Sequence, residues 1–100
     1  MEEHPNFTTL CHGYFHQDWM LDHSSYKEVI QYFIKINKFQ TTEELHLEII
    51  NLLESQEIDE SFLYNNECNF KPSIHGMTVK EWLQDISEIL VKQINNHYCS

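Results

Sequence analysis

The sequence is poor in turn-forming residues, with only two glycines and two prolines among 100 residues. A sheet of many short strands needs frequent tight turns, which these two residue types commonly supply, so their scarcity favours long helices joined by short loops. The chain is 41% hydrophobic and 13% aromatic, which is too apolar for a disordered protein and sufficient for one core. We therefore predict one domain over residues 1–100, folded as a single compact all-α bundle of four to five helices.

Positive charge is also scarce. All six basic residues are lysines, sixteen residues are acidic, and the formal net charge is −10. Binding to nucleic acid or to an anionic membrane requires a basic patch, so neither is expected as a direct partner. A strongly acidic surface suits a basic protein partner, because long-range attraction accelerates the encounter. The same charge can also serve solubility alone.

Cysteine is limited to Cys11, Cys68 and Cys99, and no two of them form a CxxC pair. An odd number of widely spaced cysteines predicts free thiols in a reducing compartment. The first residues are acidic and lead into no apolar segment, and no apolar run approaches the length that spans a membrane. The expected location is the cytoplasm.

Apolar residues recur at helical spacing in five segments, at 7–16, 25–37, 41–54, 58–65 and 78–95. Serine or threonine followed three residues later by glutamate opens three of these, which predicts capping boxes at Ser25–Glu28, Thr41–Glu44 and Thr78–Glu81. The segment 25–37 has the widest apolar arc, so it is predicted to form most of the core with the last helix.

The run from Tyr14 to Trp19 combines three aromatic rings with three polar side chains. Its residues are Tyr14, Phe15, His16, Gln17, Asp18 and Trp19. The rings are expected in the core, with His16 and Asp18 tying a turn over 17–24 to the helix ends by hydrogen bonds. Trp19 and Leu21 are predicted to enter the core from this turn.

This run is followed by Met20-Leu21-Asp22, and Glu81-Trp82-Leu83 opens the last helix. Together they resemble the immunity proteins of bacterial contact-dependent growth inhibition systems, over about residues 7–94. The resemblance implies a small cytoplasmic protein that binds and blocks the toxin domain of its own system, without catalysis, metal or cofactor. The acidic balance favours a toxin with a basic face, such as a nuclease.

Eight acidic residues and no lysine or arginine lie between residues 41 and 67, which predicts an acidic face able to occupy a basic substrate groove. Leu47 and Ile50 fall away from the core face of their helix. They can form a partner-binding strip or a second internal contact, and the internal contact is the favoured interpretation. The predicted partner-binding residues are Glu43, Glu44, Leu47, Glu48, Ile50, Glu54, Asp59, Glu60 and Glu67.

Two other functions compete with toxin binding. One is a helical adaptor that mimics nucleic acid for a different basic partner. The other is a metal-dependent hydrolase in which His12 and His16, four residues apart, bind a metal with Asp18. The sequence contains no HExxH motif, phosphate-binding glycine loop or activated nucleophile, so we predict no enzyme activity and no catalytic, cofactor or metal residue.

Overall fold

The computed structural model describes residues 4–15, 19–22, 24–54, 58, 60–65 and 68–99. Within these ranges the chain forms six α-helices, and the described residues include no β-strand, which confirms the predicted all-α bundle. A π-helical segment, Leu10–Tyr14, follows the first helix, and a 3-10 helix, Pro72–His75, precedes the last. The helices are α1 (Pro5–Thr9), α2 (Trp19–Asp22), α3 (Tyr26–Ile36), α4 (Phe39–Glu54), α5 (Glu60–Asn65) and α6 (Val79–Cys99).

Trp82, on the first turns of α6, lies at the centre of an aromatic cluster and is fully buried. Its ring stacks on Phe70 with centroids 4.6 Å apart, and it meets Phe15 at 5.5 Å and Phe7 at 6.4 Å. These rings come from α1, from the end of the π-helical segment and from the loop before the 3-10 helix. Large aromatic surfaces dominate core energetics. Trp82 therefore holds three distant parts of the chain on α6.

The most extensive packing in the bundle is between α4 and α6. The prediction that α3 and α6 form most of the core is therefore wrong. Although α3 has a wide apolar arc, Tyr32 is 44% exposed and Ile36 is 51% exposed. The longer α4 instead buries Leu45, Ile49 and Leu52 along one face.

The sequence predicted one regular helix over residues 7–16. In the structure the first helix begins at Pro5 and changes to a π-helical segment at Leu10. The N–H of Phe15 donates to the carbonyl of Leu10 at 3.0 Å, a separation of five residues that defines a π-helical turn. The wider turn accommodates one more residue than an α-helical turn. It delivers Phe15 to the cluster around Trp82.

The short helix α2 occupies part of the segment that was predicted to be a turn. Trp19 is 5% exposed and contacts both Phe15 and Phe70, whereas Leu21 is 83% exposed. The prediction that Leu21 enters the core is wrong. Residues two apart on an α-helix point about 200° apart, so Trp19 and Leu21 cannot share a face.

Tertiary contacts extend both α4 and α6 beyond their predicted ends. The helix α4 begins at Phe39, and the N–H groups of Thr41 and Thr42 donate to the carbonyl of Lys38, so the predicted Thr41–Glu44 capping box is not formed. The ring of Phe39 stacks on His97 near the end of α6, with centroids 3.7 Å apart. The predicted box at Thr78–Glu81 is present, with hydrogen bonds of 2.9 and 3.1 Å.

Candidate protein-binding surface

The exposed side of α4 carries a continuous acidic strip, which we define as Gln40, Glu44, Leu47, Asn51 and Glu54. Each of these side chains is exposed, and their spacing of three or four residues places them on one helix face. Leu47 is 62% exposed, so the favoured expectation of an internal contact for this residue is wrong. The strip presents an apolar side chain between carboxylates, with no lysine or arginine along the helix.

Glu44 lies where the acidic strip approaches the beginning of α1. Its carboxylate accepts hydrogen bonds from the side-chain amides of Asn6 and Gln40, both at 3.3 Å. Both contacts are long and solvent-exposed, so they orient the carboxylate weakly. Glu44 stays accessible to a partner.

Glu48 was predicted on the same acidic surface, but the structure places it inside. It is 8% exposed, its Oε1 accepts the backbone N–H of Phe7 at 2.8 Å, and its Oε2 accepts the amide of Asn6 at 2.7 Å. The N-cap residue of α1, His4, makes no side-chain cap. Glu48 supplies that function from another helix, since the N–H groups at a helix start need an acceptor and favour negative charge.

Glu43 borders the acidic strip at its other edge and joins it to the end of α6. Its carboxylate accepts the hydroxyl of Tyr98 at 2.7 Å, and this hydrogen bond raises the pKa of Tyr98 above its usual value. Tyr98 is 67% exposed, so the pair is open to a partner. The sequence did not identify Tyr98, because the last helix was predicted to end at residue 95.

Two more of the predicted partner-binding residues, Glu60 and Ile50, are partly buried, and Glu60 also makes an internal hydrogen bond. Glu60 accepts the backbone N–H of Ser73 at 2.9 Å, which ties α5 to the 3-10 helix, and hydrogen bonds from Ser73 hold the pKa of Glu60 below its usual value. Ile50 is half-buried. Asp59 and Glu67 lie outside the described residues. The structure thus brings Glu44, Leu47 and Glu54 together on the strip, with Glu43 beside them.

The aromatic members of the Tyr14–Trp19 run behave as predicted, because Phe15 and Trp19 are buried and Tyr14 packs edge-on against Phe33. His16, Gln17 and Asp18 lie outside the described residues. The alternative metal site requires His16 and Asp18, which are two of these residues. In the part of the chain that the structure describes, no group of three or more His, Cys, Asp or Glu side chains could hold a metal ion, and His12 is exposed.

Cys11 and Cys68 are free, as predicted for the thiols, and both are buried. Their side chains also form a hydrogen bond, which the sequence did not predict. Burial, then the hydrogen bond to Cys68, raises the pKa of the Cys11 thiol well above its usual value. The backbone explains the approach, because the N–H of Asn69 donates to the carbonyl of Phe15 and so holds the loop against the π-helical segment. Nothing in the spacing of the cysteines indicates this pair.

The fold and surface define a small acidic all-α protein whose longest uncovered face on α4 carries the exposed carboxylates of Glu44 and Glu54. None of the described helices has the length and apolarity required to cross a membrane. A family model described as the CdiI immunity protein matches residues 3–90, and the chain belongs to this family. This confirms the resemblance on which the sequence prediction rests.

A solved structure shows the same fold. A chain in the crystal structure of the CdiA-CT/CdiI complex from Y. kristensenii 33638 superposes with a TM-score of 0.80 at 20% sequence identity, covering 89% of this chain and 99% of that one. No curated protein matches the sequence.

Proposed function

We propose that this protein is an immunity protein that binds the toxin domain of its own contact-dependent growth inhibition system and neutralises it without catalysis. The observation that carries the proposal is membership of the CdiI immunity family across residues 3–90. The similarly folded chain from Y. kristensenii comes from a CdiA-CT/CdiI complex, which supports a protein partner. We place its action in the cytoplasm, in keeping with the free thiols of Cys11 and Cys68.

The proposed contact surface is the acidic strip together with Glu43. The net charge of −10 favours a basic partner, and the strip has no lysine or arginine to oppose one. Leu47 at its middle offers an apolar side chain, and its burial by a partner would be favourable. A nuclease has a basic groove for its phosphate-bearing substrate, so the proposed mechanism is occlusion of that groove.

Co-expression with the toxin domain encoded upstream tests the proposed function. Growth of the toxin-expressing cells should be restored, and the two proteins should purify as a one-to-one complex. A toxin domain that forms no complex and stays lethal in the presence of this protein would refute the cognate pairing.

Charge reversal then tests the surface. Glu44→Lys and Glu54→Lys should each weaken binding about tenfold or more, mainly through slower association, and Leu47→Ala should accelerate dissociation. Glu88→Lys is the matched control, because Glu88 is exposed on α6 beside Lys27 and Lys92 and makes the same charge change away from the strip. A loss of affinity in Glu44→Lys and Glu54→Lys no greater than that in Glu88→Lys would show a general effect of net charge and would contradict the strip as the contact surface.

A further inference from the structure

A cleft of about 380 Å³ opens where the end of α3, the start of α4 and the end of α6 meet. The polar and aromatic residues that line it are Asn37, Phe39, Thr42, Gln93, Asn96 and His97. No lysine lines the cleft. It adjoins the proposed contact surface, because Tyr98, whose hydroxyl donates to Glu43, packs edge-on against the rings of Phe39 and His97.

Thr42 gives the cleft an unusual hydrogen-bonding group. The residue is 0% exposed, yet its Oγ1 makes no hydrogen bond. Leaving a buried hydroxyl unpaired costs about 1–3 kcal/mol, and in a helix a threonine hydroxyl commonly avoids this cost by bonding a carbonyl in the preceding turn. Thr42 lines the cleft without that bond, which marks the cleft as a place where a ligand completes the hydrogen bonding.

Asn37 also lines the cleft. Its Nδ2 donates to the carbonyl of Phe33 at 2.8 Å and to the hydroxyl of Tyr14 at 3.1 Å. A side-chain amide has two N–H donors and one carbonyl oxygen, so with both donors used the group that remains for a ligand is Oδ1. The Glu43 carboxylate adds negative charge beside the cleft. These groups favour a cationic ligand with several donors.

One wall of the cleft is a flat aromatic pair. Phe39 and His97 stack with ring centroids 3.7 Å apart and planes 17° apart. A guanidinium group is planar, carries five N–H donors in a rigid fork and stacks on aromatic faces, whereas an ammonium group has three donors and no face. The cleft therefore suits arginine better than lysine.

We propose that this cleft binds an arginine side chain of the toxin domain, an inference that rests on the proposed function. The guanidinium donates to Thr42 Oγ1 and Asn37 Oδ1 and stacks on the Phe39–His97 pair. The α6 wall of the cleft, Gln93, Asn96 and His97, lies beyond residue 90, where the family match ends. A contact built from this part of the chain suits recognition of one particular toxin rather than of toxins in general.

Replacing Thr42 with valine tests the proposal, because valine keeps the branched shape and carries a methyl group in place of the hydroxyl. The free protein should be as stable as the wild type or more so, since an unpaired buried hydroxyl is removed. Affinity for the purified toxin domain, measured by titration calorimetry, should fall about fivefold or more. A purely structural role of Thr42 predicts no change in affinity.

Asn96→Ala and Asn95→Ala provide a matched pair on α6. Both asparagines are exposed, but only Asn96 lines the cleft. Asn96→Ala should weaken binding and Asn95→Ala should not. An arginine-to-lysine scan of the toxin domain should then find one position whose effect is non-additive with Thr42→Val in a double-mutant cycle.

The outcomes separate the two proposals. A wild-type protein that fails to bind the toxin overturns the proposed function and the arginine contact with it. The wild-type protein can also bind the toxin while the arginine contact fails its tests. Thr42→Val and Asn96→Ala variants that bind as tightly as wild type would overturn the arginine contact alone. The absence of any toxin arginine coupled to Thr42 would do the same.

Discussion

The buried carboxylate of Glu48 accepts the backbone N–H of Phe7 at 2.8 Å and so joins the middle of α4 to the beginning of α1. The second carboxylate oxygen accepts the amide of Asn6 at 2.7 Å. The first of these bonds supplies an acceptor for an N–H group at the start of α1 that has no intrahelical acceptor. Because Phe7 packs against Trp82, this one side chain also fixes how α1 meets the aromatic core.

Replacing Glu48 with alanine should lower the free energy of unfolding by about 2–3 kcal/mol, because the Phe7 N–H loses a charged acceptor in a buried place. Glu44→Ala is the control, since its exposed 3.3 Å contacts should be worth about 0.5 kcal/mol or less. Urea denaturation of both variants measures the difference. Equal effects of the two substitutions would show that Glu48 does not cap α1.

The two glycines should respond to alanine with opposite signs. Gly76 has φ +74°, in the left-handed region, so Gly76→Ala should destabilise the protein by about 1–2 kcal/mol. Gly13 lies in the π-helical segment with φ outside that region, and Gly13→Ala should stabilise by about 0.4–1 kcal/mol by restricting the unfolded chain.

An added Cβ meets no atom within 4 Å at either glycine, so packing does not contribute to this comparison. Thermal unfolding of the two variants provides the measurement. A shift of the same sign in both would contradict an origin in backbone conformation.

Helical periodicity was sufficient to predict the all-α class and the approximate extent of α3 to α6, since one apolar face repeats along each helix. It could not predict where α4 begins or α6 ends. Phe39 and His97 hold these ends by stacking on each other across the bundle, and periodicity within one helix carries no information about such a contact. The π-helical turn at Leu10–Tyr14 was missed because the apolar spacing also fits an ordinary helix.

The candidate surface was predictable as a concentration of charge but not residue by residue. The count of acidic residues placed Glu44 and Glu48 on one surface. In the structure Glu44 is exposed, whereas Glu48, four residues later on α4, is buried. Glu48 lies under the start of α1, and only the tertiary packing of α1 on α4 determines that. The exposure of Leu47 likewise depends on tertiary packing, because none of the described helices covers that face of α4.

Tyr26 and Asp85 link α3 to α6 through a hydrogen bond from the phenol to the carboxylate. Burial, then this bond to Asp85, raises the pKa of Tyr26 to about 12 from a usual value near 10. A pKa that is higher in the folded state favours folding of the protonated form. Its contribution to stability is complete below about pH 10 and is lost as the pH rises towards 12.

Tyr26→Phe should therefore lower the free energy of unfolding by about 1 kcal/mol at neutral pH, and the difference from wild type should shrink between pH 10 and pH 12. Because the pKa of Tyr98 is also raised, phenol absorbance against pH is followed in a Tyr98→Phe background, where Tyr26→Phe should remove the component near pH 12. Tyr64→Phe, at a residue 82% exposed, should leave that component in place. A component near pH 12 that survives in Tyr26→Phe would contradict the assignment.

The Cys11–Cys68 pair should be chemically inert in the folded protein. Burial first, and Cys68 second, raise the pKa of Cys11, so little reactive thiolate forms at pH 8.

In a Cys99→Ser background, Ellman's reagent should label the native protein at least about tenfold more slowly than the urea-unfolded protein, which should yield two thiols. Cys68→Ser should leave Cys11 slow, because burial is the main cause. Native labelling as fast as in urea would mean that the π-helical segment opens readily, and it would contradict the buried pair.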